Sequence, residues 1–354
     1  IITAGHNYNA DTRAAVYEWF CAHLKAPFPP NAKPESVPAV VKTLGDLRVF
    51  PDHVLPDSAR TAWDIMKDWK AQSERAYGAM TPSAPGAYAG FARTFREKLA
   101  LALAVETPDK GSIEFRRGEP VKTGNATFMS VAIGRAGRGD RIVLESLQGG
   151  DLSAGNVMVV APPSLGGLVD EQGKAPAAWA GGLLSFGHRV YRIRGYADGE
   201  NVIPRKTYES WSWTRAYNPD NRMNAIQDIV TAIEFITTTY PDRPLTVVGL
   251  GNCGLAAALA CAVSGKTDRV TLDLDGADPG YDKELADLLP YGGIRRVGDF
   301  RTAALLLLNK PLTILNPGGT FDRAWYEKAA KAAGLEKNLT FGTGTGMGVV
   351  AGMR

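Results

Sequence analysis

At a prior of ~150 residues per domain, the 354-residue chain has room for about two domains, and 45% hydrophobic with 22% charged residues is ordinary globular composition. That composition excludes a disordered, collagen-like or coiled-coil chain. Forty Lys and Arg against 37 Asp and Glu leave +3 spread along the sequence, which gives no footprint for nucleic acid or an anionic membrane as partner.

The chain opens on Ile1 with no basic or apolar leader ahead of the first element, so a fragment is expected and a signal peptide would lie outside it. Residues 1–5 read as the end of a strand. Asn9, Asp11 and Thr12 then offer helix caps before an amphipathic run with Val16, Phe20 and Leu24 at four-residue spacing. The proline-spaced segment from Pro27 to Pro38 cannot be helical, and it marks a domain boundary. Two helices are predicted over residues 57–77, with Trp63, Met66, Trp69 and Tyr77 apolar, and over residues 86–106.

From Ile113 the pattern changes to short apolar runs, at residues 113–115, 127–133, 141–144, 157–161 and 190–193, which read as a sheet. A helix over residues 222–237 follows, carrying Met223, Ile226, Ile229, Val230, Ile233 and Ile236. Strands at 245–248, 270–274, 312–315 and 339–341 then alternate with helices, the signature of a parallel sheet covered on both faces. The densest apolar stretch, residues 254–263, falls far short of the roughly 20 residues that span a bilayer. The expected fold class is therefore α/β.

The sharpest local pattern is Val248-Gly249-Leu250-Gly251-Asn252-Cys253-Gly254, and three readings of it are open. Gly249, Gly251 and Gly254 satisfy the G-x-G-x-x-G fingerprint of a dinucleotide site, with Asp273 or Asp275 about 20 residues on as the ribose-binding acid. Alternatively the segment is a G-x-S-x-G nucleophile elbow in which Gly251 stands where the serine would be. In the third reading the glycines only permit close helix packing. The late position of this strand, with a helix before it and few strands after it, fits the second half of an α/β-hydrolase sheet better than a dinucleotide domain.

In that frame the acid slot falls on Asn316, and the base slot on residues 342–346, which contain no histidine. A triad needs nucleophile, base and orienting acid, so hydrolysis by that route is not expected of this half. Cys253 lies two residues past the elbow tip and reads as a small buried helix cysteine. Cys253 and Cys261 would stand about 12 Å apart along one helix, too far to bond, and Cys21 leaves an odd count. His23, His53 and His188 read as structural or surface residues. His6 differs, because it follows a strand end and precedes an amphipathic helix, where a hydrolase places its general base. Trp211 and Trp213 alternate with Ser210 and Ser212 and could face one side of an extended segment, though core burial is the better account of the pair.

Gly5-His6-Asn7-Tyr8-Asn9, followed by Arg13, Tyr17 and Trp19 on one helix, resembles the C-terminal end of the catalytic domain in acetyl xylan esterase-like α/β-hydrolases, a family with tandem members. Ala216-Tyr217-Asn218, Asp228-Ile229, the Gly251 turn, Asp273-Leu274-Asp275-Gly276 and Pro290-Tyr291-Gly292-Gly293 are similar to segments of the non-catalytic second half of such proteins. The resemblance implies an α/β-hydrolase-like, mostly parallel sheet with helices on both faces, preceded by a strand-loop-helix remnant of a first hydrolase domain. The divisions expected are residues 1–26 for that remnant, 27–109 for linker and bridging helices, and 110–354 for a second, degenerate domain.

It further implies a carbohydrate-ester hydrolase with His6 as base and with nucleophile and acid upstream of Ile1. The substrate would be a small-molecule or polysaccharide ester, the partner the N-terminal portion of the same protein, and the location secreted or periplasmic. No metal or organic cofactor is required.

Overall fold

The computed structural model describes residues 5, 8–25, 42–50, 54–194, 219, 221–280 and 293–348. The chain forms two compact units, residues 1–67 and 68–354. In the first, α1 (Ala10–Leu24) begins where the Asn9 side chain accepts from the Thr12 N–H at 2.9 Å, as the sequence leads one to expect of a cap. No residue of α1 is buried, and Phe20 and Leu24 of its apolar face are 50% and 71% exposed. Helix α2 (Ala62–Met80) runs from this unit into the second, and its one buried residue is Tyr77. Trp63, Met66 and Trp69, predicted as its apolar face, are exposed.

The second unit is built on a ten-stranded sheet. Its strands are β1 (Ile113–Arg117), β2 (Val121–Thr123), β3 (Ala126–Arg135), β4 (Ile142–Gln148), β5 (Gly155–Val160), β6 (His188–Arg194), β7 (Leu245–Leu250), β8 (Arg269–Asp273), β9 (Leu312–Leu315) and β10 (Leu339–Gly342). The spatial order is β1-β3-β4-β6-β5-β7-β8-β9-β10, with β2 also on β3. Pairs from β1 through β4 to β6 are antiparallel, and every pair from β6 to β10 is parallel. All six residues of β5 are buried, as a strand covered on both faces requires.

One face carries α3 (Tyr88–Ala102), α5 (Asn221–Thr239), α6 (Asn252–Ser264), α7 (Asp299–Leu307) and α8 (Arg323–Ala333), which share a core with Met158, Val160, Val247 and Leu272. The other face carries α4 (Ala178–Ser185), whose Ala180 and Leu183 pack on Val157, Val159 and Val248. The alternating residues of β5 and β7 thus serve opposite layers, as period-two geometry dictates. Every residue of α6 from Cys253 to Val263 is buried, so this helix is apolar all round because nothing of it meets water.

Phe91, Phe95 and Leu99 place α3, expected as a bridging helix, inside the second unit's core. Among the described residues, no helix is long and apolar enough to cross a membrane.

Candidate functional site

Helices α4 and α6 follow the adjacent strands β5 and β7 onto opposite faces of the sheet. The carboxyl ends of those two strands therefore form the topological switch point, where open α/β sheets place their ligands. Gly251 lies at this point, between β7 and α6, with φ 57° and ψ −136°. That backbone region is close to one that only glycine enters without strain. A Cβ built there would stand 3.8 Å from the Asp275 carboxylate and meet nothing closer. The turn has the sharp strand-to-helix form of a nucleophile elbow, with room for a side chain and none present.

The other two glycines have different causes. A Cβ at Gly249 would come within 2.7 Å of the Ala257 Cβ and 2.9 Å of the Gly254 Cα. One at Gly254 would come within 3.1 Å of the Asp273 carbonyl oxygen. These two positions are set by close packing of α6 on β7 and β8, the third of the readings open in the sequence.

Asn316, in the acid slot after β9, takes φ 47°, an angle asparagine tolerates better than most residues. Its Nδ2 donates to Asp273 Oδ1 at 2.7 Å and to the Gly344 carbonyl at 2.6 Å, while its Oδ1 accepts from the Gly344 N–H at 3.2 Å. Asp273 Oδ1 also accepts from the Asp275 N–H at 3.1 Å. The Asn316 amide thus ties three loops together. In the base slot, Gly346 is buried against Leu250, Val248 and Asp273, and residues 342–346 hold no histidine.

Cys253 is 2% exposed, and burial pushes its thiol up to about 11 even with Arg222 and Arg192 opposing. A thiol so protonated at neutral pH is a poor nucleophile. All three cysteines are thiols, Cys21 half-buried and Cys261 buried. His188 is buried, and desolvation lowers its pKa. His23 stays on α1, its Nδ1 2.8 Å from the Trp19 carbonyl. His6, His53, Trp211, Trp213, residues 216–218 and residues 290–292 lie outside the described residues.

The sequence reading missed a charged cluster in the second unit. Arg301 grips the Glu74 carboxylate with two hydrogen bonds, at 2.8 and 2.9 Å, and the wholly buried Asp299 at 3.1 Å. Among the described residues there is no group of three His, Cys, Asp or Glu side chains placed to hold a metal ion.

No protein-family model and no curated protein sequence matches the chain. Solved structures do. An acetyl xylan esterase by assignment from Bacteroides fragilis is similar over 82% of this chain and 86% of its own, with TM-score 0.59 and 10% identity. The methylesterase BT1017 is similar over 77% of this chain with TM-score 0.52 and 14% identity, and this chain spans 63% of its length. The likeness shows a shared fold, the mostly parallel sheet with helices on both faces that the sequence resemblance implies.

Proposed function

We propose that this chain is the C-terminal portion of a carboxylic-ester hydrolase acting on acylated carbohydrate, secreted or periplasmic, whose residues 110–354 form a second, catalytically silent hydrolase-like domain. Residues 1–26 are the end of its catalytic domain, and residues 27–109 are the connection, whose α3 packs into the core of the second domain. The observation that carries the reading is Gly251. It stands at the sharp strand-to-helix turn after β7, with φ 57° and ψ −136°, where an elbow would carry its nucleophile, and it offers none. Asn316 and residues 342–346 offer no acid or base in the matching slots.

The names of the similar structures, an acetyl xylan esterase and a methylesterase, support ester cleavage as the chemistry. The exposed Trp19, Phe20 and Leu24 of α1 support its packing against further chain, because clustered apolar surface is stable when packed. In the parent, a serine upstream attacks the ester carbonyl, His6 takes its proton and returns it to the leaving sugar hydroxyl, and water then clears the acyl-enzyme.

Turnover of acetylated xylan and of a small acetyl ester by the full-length protein tests the reading. His6→Ala should lower kcat by roughly 10³-fold or more, since losing a triad member leaves only binding and oxyanion stabilisation. Cys253→Ala should leave kcat close to unchanged. A His6→Ala variant with wild-type kcat, or normal ester turnover by residues 1–354 alone, would overturn it.

A further inference from the structure

The amino ends of β5 and β6, at the opposite end of the sheet from Gly251, hold a further polar group. Asn156 and Arg189 are register partners on these two parallel strands, so their side chains project from the same face. Tyr191 shares that face by strand alternation, and with its partner Met158 it belongs to the core beneath α5. Asn156 is 1% exposed and Tyr191 3%. Tyr240, just past the end of α5, lies under the Arg189 guanidinium, whose carbon stands 4.2 Å from the ring centre.

These side chains carry more hydrogen-bonding capacity than their neighbours fill. Both polar atoms of the Asn156 amide, Nε and Nη1 of Arg189 and the Tyr191 hydroxyl are buried, and none has a hydrogen-bond partner among the described residues. Arg189 forms no ion pair with a described carboxylate. Asp151, in the loop before β5, is turned instead to the N–H and hydroxyl of Ser153. The Asn156 N–H donates to the Pro244 carbonyl, and beside it Arg243 adds a second cation at this end of the sheet, its guanidinium donating to the Leu152 carbonyl. Burial holds the Tyr191 hydroxyl above the ordinary tyrosine range, with the Arg189 charge opposing, so it stays protonated and able to donate.

A guanidinium drawn out of water without a carboxylate is costly, and the face of Tyr240 offsets only part of that cost. The unpaired amide and hydroxyl add to it. A metal ion would be repelled by the guanidinium. A neutral molecule, water included, would fill hydrogen bonds and leave the charge unbalanced. An anion answers both needs, because the donor hydrogens of Arg189, Asn156 and Tyr191 outnumber the acceptors. It must be small, since these atoms are sealed from solvent, and monovalent, since the group holds a single guanidinium. Arg189 as a whole is half-buried, so the site borders solvent. We propose that Asn156, Arg189 and Tyr191 bind a halide-sized monovalent anion, chloride in ordinary buffers, as a structural ion at the amino ends of β5 and β6. The inference rests on these side chains and not on the ester-hydrolysis reading.

Thermal melting of the whole chain in sodium chloride, sodium bromide and sodium gluconate at matched ionic strength tests it, gluconate being too large to enter. Chloride and bromide at about 300 mM should each raise the melting temperature by about 3 °C or more above gluconate, saturating as a site with a dissociation constant on the order of 10 mM would. Arg189→Gln removes the charge and should abolish this halide dependence. Asn156→Leu, which replaces the amide with an apolar group of similar size, should weaken it severalfold. Chloride NMR on the wild type decides the matter should the variants fail to fold: the protein should broaden the chloride line, and bromide but not gluconate should reverse the broadening. Equal melting in chloride and gluconate, the result expected if water alone fills the site, would overturn the proposal. So would an undiminished halide effect in folded Arg189→Gln, or a chloride line that the wild type leaves sharp.

Discussion

Asp228 sits half-buried on α5, and burial pushes its carboxyl up to about 7, with repulsion from Asp140 adding to the shift and Arg135 opposing it. The folded state therefore holds a proton that the unfolded chain, with an ordinary aspartate near 3.9, has already released. Stability from this group is fully present below about pH 4 and is lost as pH rises to about 7. Asp228→Asn should abolish that decline, so that urea midpoints for the variant and the wild type diverge in the variant's favour toward pH 8. Equal pH dependence in the two proteins would remove the assignment. The residue scale is also where the sequence was least legible. Glu74 and Arg301 stand 227 positions apart, and no local pattern links them, since an ion pair across that separation exists only once α2 and α7 share a core. The empty slots at Gly251, Asn316 and residues 342–346 were legible because a triad's members occupy fixed places relative to consecutive strands.

At the scale of elements, the strands predicted at 245–248, 270–274 and 312–315 each fall within two residues of β7, β8 and β9 at either end. They are buried on both faces and carry continuous apolar runs, the strongest strand signal available. Strand β2 is three residues long, and α4 has eight residues that are apolar nearly throughout; neither has a period to read. In α2 the period was legible but its orientation was not, because Trp63, Met66 and Trp69 face water while Tyr77 faces the core. The β7 and α6 pair yields a test of why its glycines are there. Gly249→Ala drives a methyl to within 2.7 Å of Ala257 and should destabilise the fold by about 1–3 kcal/mol through overpacking. Gly251→Ser meets only an ordinary contact with Asp275 at 3.8 Å, so its cost of about 1–3 kcal/mol should come from backbone strain. Chemical denaturation should show both losses, and the serine variant of the 354-residue chain should still cleave no acetyl ester, since the slot at residues 342–346 supplies no base. Ester turnover by that variant would show that a base exists which the slot at residues 342–346 does not contain.

At the scale of the whole molecule, the hydrogen bonds at Asp273 favour one of two architectures for the glycine motif. A dinucleotide fold would need Asp273 unengaged at the crevice to receive a ribose hydroxyl. Here Asp273 Oδ1 is taken by the Asn316 amide and the Asp275 N–H, and Asn316 carries the tie on to Gly344. The same carboxylate that would read a cofactor instead fastens the ends of β8, β9 and β10 to one another. The antiparallel strands β1 to β4 at one end of the sheet, and the parallel run continuing outward from β7 through β10 at the other, agree with the hydrolase arrangement. Asp273→Ala leaves the Asn316 amide without its carboxylate partner and should therefore cost about 1–3 kcal/mol of stability, read as a lower melting temperature. Titration with NAD or FAD at about 100 μM, a concentration that would fill a micromolar site, should give no heat in the wild type and none in the variant. Micromolar binding of either nucleotide, lost on Asp273→Ala without a fall in melting temperature, would return the motif to the dinucleotide reading, because the two architectures assign this one carboxylate to incompatible partners.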